Sequence, residues 1–361
     1  MKKKTQERKQ LLIDTLSIQT SSGKEENMIQ YIIKFCLKNI PNAKIKVDSN
    51  NLYVTKGESD IYPCIVSHTD TVHDIHKHYK VFDNDNCLFA FNAESGRQVG
   101  VGGDDKVGIW LALQMLKSND VMKCAFFHSE EIGCIGSSQA DMSWFKDVGY
   151  CLQGDRRGSK DFVNSISGTL YSDSFAEDIL PIITKYGYAE TSGSITDVGQ
   201  LSENGIGICV ANMSCGYYSP HSDFEIVEFL DANNCLNMVM SIVKELGCKR
   251  YVNQYVNDYA SASWDFDNIS QKYWYDKDTE VVVGEDGEES CYYCDSQLVE
   301  SEFGKDFRYC DSCGTDVSKQ EVGEYKEFEE IEDVDDNYDG SMSHKEIVNS
   351  YLMKTPYYKN K

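Results

Sequence analysis

The sequence predicts an α/β fold, a mixed, mainly parallel sheet sandwiched by helices, with a small cysteine-bearing module near the C-terminal end. Three observations carry this. Apolar runs of strand length alternate with longer segments of helical periodicity up to about residue 250. Two of those runs, 122–128 and 148–153, are strongly apolar instead of alternating, as strands covered on both faces are. From residue 251 the alternation stops, and four cysteines in two CxxC pairs follow.

Taken in order, helical periodicity runs through residues 10–18 and again through 25–37, the second after the start signal Ser21-Ser22-Gly23-Lys24-Glu25. Strand-like segments follow at 44–47, 51–54, 62–67 and 87–91. Residues 107–116 read as a buried helix, 122–128 and 148–153 as core strands, 174–186 as a helix, 206–211 as a strand and 224–246 as a long closing helix. The expected organisation is a main domain at 1–250, an aromatic and acidic linker at 251–288, a cysteine module at 289–317 and an acidic tail at 318–361, solvated over 321–339.

Length and charge narrow the function classes. The 361 residues are ample for a real core and carry a net charge of −24. Such a surface offers no positive field for a nucleic-acid backbone, so nucleic acid is disfavoured as a partner. No apolar stretch is long enough to span a bilayer, so no membrane is expected. The basic start Met1-Lys2-Lys3-Lys4 is followed only by the amphipathic Leu11-Leu12-Ile13, which does not read as an export signal. Ten of the 14 cysteines are scattered, often in apolar settings, which suits reduced thiols in the cytoplasm, the expected location.

Five segments carry the chemistry: Ser67-His68-Thr69-Asp70-Thr71, Gly103-Asp104-Asp105-Lys106, Ser129-Glu130-Glu131-Ile132-Gly133, Gly154-Asp155 and Ser219-Pro220-His221-Ser222. Most lie just past an apolar run, at the carboxyl ends of predicted strands, where open α/β sheets place their ligands. Together they offer two imidazoles and several carboxylates, the donor types that a pair of zinc-like divalent ions takes. Asp70 is placed to accept a hydrogen bond from the far nitrogen of His68 and so fix its tautomer. The glycine-rich stretch 99–108 opens a helix and could cradle a phosphate, but its two adjacent aspartates would repel an anion and suit a cation. Adjacent Glu130 and Glu131 at a strand end suggest two jobs, one ligating and one moving protons. His73, His76 and His78 read as an exposed loop and are not taken as ligands.

This ordered set (HxDT, GxDDKxG, EExG, D, PH) resembles the di-zinc exopeptidase superfamily, closest to the M20 peptidases and shading toward M28 and M42, over residues 6–248. The resemblance implies two catalytic zinc ions, with cobalt or manganese as substitutes. His68 and Asp155 would hold one ion, Glu131 and His221 the other, and Asp104 would bridge them. It also implies Asp70 as the residue orienting His68, and Glu130 as the general base that deprotonates a metal-activated water and returns the proton to the leaving amine. The family's bridging aspartate commonly precedes a cis peptide, so Asp104–Asp105 is expected to be cis. Gly193, Ser194 and Thr196 match a small-residue stretch that contacts substrate. M20 enzymes usually carry a lid domain between the fourth and fifth ligands. With only 65 residues between Asp155 and His221, most of them needed for the core, the lid is expected to be absent or vestigial here. Arg156 and Arg157 could supply a carboxylate-binding charge or serve as structural ion pairs.

The implied activity is hydrolysis of small peptides by an exopeptidase of aminopeptidase type. A deacylase acting on N-acyl amino acids with the same site, or a binding protein that has lost activity, are the alternatives. In the C-terminal module, Cys291, Cys294, Cys310 and Cys313 form C-x2-C-x15-C-x2-C, the spacing of a closed four-thiolate structural zinc site. The module resembles a zinc ribbon, with strand-like 297–299 and 307–309, and could engage a protein partner.

Overall fold

The structure, a computed structural model, describes residues 2–255 and, beyond them, residue 298 and the short strands Tyr273–Trp274, Val281–Gly284, Glu289–Cys291, Val299–Glu300, Phe307–Cys310 and Thr315–Ser318. The chain divides into two units, Met1–Tyr273 with Asp311–Thr315, and Trp274–Cys310 with Asp316–Lys361.

The first unit opens with helices α1 (Lys2–Leu16) and α2 (Glu26–Asn39), then strands β1 (Lys44–Asp48), β2 (Asn51–Lys56) and β3 (Tyr62–His68). Three strands follow, β4 (Tyr79–Asn84), β5 (Cys87–Asn92) and β6 (Arg97–Val99), before α3 (Gly103–Ser118), β7 (Met122–Phe127), the single turn α4 (Ile135–Ser138) and β8 (Val148–Gln153). The remainder is β9 (Asp161–Ser165), α5 (Asp173–Lys185), β10 (Ala189–Ser192), α6 (Asp197–Glu203), β11 (Cys209–Met213), β12 (Tyr217–Tyr218), β13 (Ile226–Glu228) and α7 (Phe229–Leu246).

Eight strands form one sheet in the order β1-β2-β7-β3-β8-β11-β9-β10. The central pairs β7/β3, β3/β8 and β8/β11 are parallel, while β1/β2, β2/β7 and β11/β9 are antiparallel. Strands β3, β7 and β8 are buried at every position, which explains their largely apolar sequences. Helix α3 packs on β3 and β7 and α6 on β3, β8 and β11, so the sheet is flanked by helices. Helix α3 is itself buried from Gly103 to Leu116, with Trp110 wholly enclosed and its indole donating to the Arg8 carbonyl at 2.9 Å. Each such enclosed apolar side chain contributes about 1.5–3 kcal/mol.

A second, antiparallel sheet was not foreseen. It runs β12-β13-β5-β4, with β6 paired to β5. It joins residues 79–99 to residues 217–228, and its formation overturns one sequence expectation. The closing helix starts at Phe229 rather than 224, because Val227 and Glu228 pair with Leu88 and Cys87 of β5. The tertiary pairing overrides the local helical pattern. Likewise the strand expected at 206–211 begins at Cys209, since Gly205 and Gly207 take left-handed φ values of 78° and 70°. Strand β10 escaped the sequence reading because it sits at the sheet edge with three of its four residues exposed.

The 65 residues between Asp155 and His221 are spent on β9, α5, β10, α6, β11 and β12, with no separate domain inserted. No helix among the described residues is long and apolar enough to cross a membrane. In the C-terminal region, Val299–Glu300 pairs antiparallel with Phe307–Cys310. The acidic stretch 321–339, most of the expected linker, and positions Cys294 and Cys313 lie outside the described residues.

Candidate metal centre

Three neighbouring parallel strands end at one place. The last residue of β3 is His68, β7 runs into Glu130 and Glu131, and β8 runs into Asp155. Because these strands are adjacent in the order β7-β3-β8, residues far apart in sequence meet at their carboxyl ends. Asp104 enters from the start of α3, and His221 from the turn after β12.

The side chains gather into two groups that share one member. His68, Asp104 and Asp155 form the first, and Asp104, Glu131 and His221 the second, each with its ligand atoms within 4.8 Å of one another. His68 Nε2 stands 3.1 Å from Asp104 Oδ1 and 3.7 Å from Asp155 Oδ1. On the other side, His221 Nε2 stands 3.4 Å from Asp104 Oδ2 and 3.1 Å from Glu131 Oε2. The two oxygens of Asp104 thus face opposite groups, the arrangement a bridging carboxylate requires. Glu131 Oε1 is buried without a hydrogen-bond partner among the described residues. A buried, unsatisfied carboxylate oxygen in a nest of acids fits a cation far better than an empty apolar pocket does.

Electrostatics point the same way. Burial pushes the Asp155 carboxyl up to about 7, reinforced by the charge of Asp104. Burial also raises Glu131, with Asp104 adding to it against His221, and holds Glu130 well above the usual carboxylate range, with Asp155, Asp197 and Glu131 adding to it against His68. For Asp104 burial acts upward but is outweighed by hydrogen bonds with His221 and His68, which bring it well below its ordinary value. Burial disfavours charge on both imidazoles, yet the surrounding carboxylates hold both well above the ordinary histidine value. Among the protein's own groups, the site is acid-rich and short of positive charge.

The peptide between Asp104 and Asp105 is cis. Asp105 has a task different from that of its neighbour. Its Oδ1 accepts the Gly108 N–H at 2.9 Å, capping the regular part of α3, and its Oδ2 accepts the His68 N–H at 3.2 Å. Asp70 Oδ1 lies 3.3 Å from His68 Nδ1 and accepts the Glu130 N–H at 3.0 Å, while Oδ2 accepts the Glu131 N–H at 3.3 Å and the Ser22 hydroxyl at 2.7 Å. One buried side chain therefore aligns an imidazole and both glutamates. Glu130 belongs to neither ligand group and reaches only to 3.9 Å from His68 Nε2.

Of the three residues expected to touch substrate, Thr196 is 2 % exposed and its hydroxyl lies 2.8 Å from Asp155 Oδ2 and 2.9 Å from Gln153 Oε1. Its hydroxyl thus links two side chains at the end of β8. Gly193 donates to the Ser165 carbonyl at 2.9 Å, and Ser194 is exposed in the loop leading to α6. Arg156 is paired with Asp161 at 2.8 Å. Several contributors were missed. Gln153 is wholly buried and donates to Asp155 at 3.1 Å, and Asn212 of β11 clasps the Asp155 backbone on both sides, at 3.0 and 2.6 Å. Asp197, wholly buried, is pushed up by burial to about 6. His73 is no exposed loop residue, since its Nε2 lies 2.7 Å from Glu225. The polar residues inside the apolar runs, Gln153 and Asn212, were the signal available in the sequence.

No family model and no curated protein matches this sequence. Solved structures do match its fold. Aminopeptidase PepT of Bacillus cereus superposes with a TM-score of 0.57 at 13 % identity, over 67 % of this chain and 98 % of that one. A tripeptidase of Staphylococcus aureus gives 0.54 at 12 %, over 66 % and 98 %. An aminopeptidase of the archaeon Desulfurococcus kamchatkensis gives 0.51 at 15 %, over 67 % and 95 %. The chain thus shares the fold of these solved peptidases.

Proposed function

We propose that the chain is a metal-dependent peptidase of small peptides, an exopeptidase of aminopeptidase type. The observation that carries this reading is the single buried carboxylate, Asp104, facing two separate ligand groups. His68 and Asp155 would hold one divalent ion, Glu131 and His221 the other, and Asp104 both, with zinc as the natural metal and cobalt or manganese as substitutes. When bound, two such ions lower the pKa of a water molecule and polarise an amide carbonyl.

The protein's own groups supply the rest. Glu130, outside both ligand groups and raised by burial, takes a proton from the attacking water and delivers it to the leaving amine. Asp70 keeps the His68 ring and the Glu130 backbone in register. The excess of carboxylates favours a substrate's free amine over its carboxylate. Arg156, the cation next to Asp155, is committed to Asp161 and so makes a poor carboxylate anchor. In the C-terminal module, Cys291, Cys294, Cys310 and Cys313 would hold a third, structural zinc in a ribbon available to a protein partner.

The decisive experiment offers the purified protein a mixed library of dipeptides, tripeptides and N-acyl amino acids, with products read by mass spectrometry. Release of N-terminal residues, abolished by a chelator and restored by zinc or cobalt, is expected. Release of acyl groups with peptides left intact would replace the exopeptidase reading by the deacylase one. Hydrolysis that ignores chelation would sink the metal assignment.

A further inference from the structure

The turn that presents His221 and the loop that presents Asp104 are tied together by one side chain, Glu225. It is wholly buried. Its Oε2 accepts the Gly102 N–H at 2.6 Å and lies 2.7 Å from His73 Nε2, and its Oε1 accepts the Asp104 N–H at 3.0 Å. Its own N–H is bonded to the Ser222 carbonyl at 3.1 Å, so the carboxylate is rooted in the turn that carries His221. The fit is close on every side. A methyl group on Gly103 would stand 2.6 Å from Tyr217 Cβ and 3.3 Å from Glu225 Oε1, and one on Gly100 would overlap the His73 ring. Lys106, the lysine near this carboxylate, spends its ammonium on the carbonyls of Leu16 and Val101 at 3.2 and 3.0 Å.

We infer that Glu225, with His73 as its donor, is a positioning residue that sets the Asp104 carboxylate between the two ligand groups and locks that placement to His221. The inference rests on the two-metal reading of the site. Its physical basis is that a buried carboxylate is costly unless donors satisfy it, and this one spends its donors on the backbone of the bridging residue. Both Asp104 and His221 belong to the second ligand group, whereas the first takes only Asp104 from this assembly. Loss of Glu225 must therefore weaken the second group more than the first.

The test is a cobalt titration of the metal-free full chain, followed by visible absorption and checked by zinc competition. Cobalt held by histidine and carboxylate is distinguished from any cysteine-bound cobalt by the absence of a thiolate charge-transfer band. Wild type is expected to take two such equivalents. In Glu225→Gln one equivalent is expected to weaken on the order of 10- to 100-fold, with the other less changed and the spectrum of the weakened one altered. A merely structural Glu225 would lower the melting temperature of the metal-free protein while leaving both affinities alone, and that result overturns the inference. Should Glu225→Gln fail to fold, His73→Leu keeps the carboxylate and removes one donor. It is expected to weaken the same equivalent, and an unchanged affinity overturns the inference equally. A wild type that takes no cobalt outside its cysteines defeats the two-metal reading itself, an outcome distinct from either of these.

Discussion

On the function proposed above, replacing Glu130 by glutamine would separate the proton-moving role from the ligating one. The side chain is largely enclosed, stands 3.9 Å from His68 Nε2 and belongs to neither ligand group. Its Oε1 is approached by the Cys134 thiol at 3.5 Å, and its backbone is held by Asp70 at 3.0 Å, so the amide can occupy the same space. On the proposed mechanism, what it could not do is accept the proton of the attacking water. General acid–base catalysis contributes about 10²–10⁴-fold, which at about 1.4 kcal/mol per decade is roughly 3–5 kcal/mol of barrier. Steady-state hydrolysis of a good peptide substrate should therefore fall by that factor in kcat, with two metal ions per main unit retained by elemental analysis. Stability gives an independent sign. Burial raises the folded pKa of Glu130 well above its ordinary value, so its ionised form costs stability as pH rises beyond the unfolded value. The metal-free variant should then melt no lower than wild type at neutral pH. Activity within tenfold of wild type, or loss of a metal ion, would refute the reasoning.

Other outcomes follow from the same geometry. His221→Ala removes a member of the second ligand group only, so elemental analysis should find one catalytic ion lost and the other kept. Thr196→Val deletes the hydroxyl that orients Asp155, and metal affinity should fall about 10- to 100-fold, measured by chelator competition, with little change in fold by circular dichroism. Burial lowers Lys106 to about 8. Between pH 8 and about 10.5 the unfolded chain binds more protons than the folded one, so stability should rise with pH across that window by up to ~3 kcal/mol. Denaturant melts of Lys106→Met should show that slope removed. Finally, Cys291→Ser should cost one zinc equivalent and leave peptide hydrolysis unchanged.

The sheet was legible in the sequence where burial is complete. Strands β3, β7 and β8 have no solvent face, so their apolar runs announced both their existence and their parallel setting. The second sheet was not legible, because β4 alternates toward solvent and β13 becomes a strand only by pairing with β5, more than a hundred residues earlier. Within the site, the histidines and acids at strand ends were visible because charge directly after an apolar run is unusual. The residues that aim them were harder to see. Gln153 is the last residue of one buried strand and Asn212 the next-to-last of another, and Glu225 shows its worth only through backbone amides of a loop brought to it by folding. His73 was misjudged for the same reason, since nothing local to a His-rich loop reveals a carboxylate contributed by residue 225.

The shared membership of Asp104 hides an inequality of foundation. The first group stands on the ends of β3 and β8 and the start of α3, all anchored in the large sheet or the helix packed on it. The second must also reach His221, in a turn bounded by two short strands of the smaller sheet. Local opening draws on the segments with the fewest buried neighbours, and such a turn opens well before the central strands do. If the centre holds two ions as proposed, gentle heating or dilute denaturant should release them one after the other, passing through a singly loaded form in which the centre nearest His68 survives. The two ligand groups would thus report on the firmness of two different sheets.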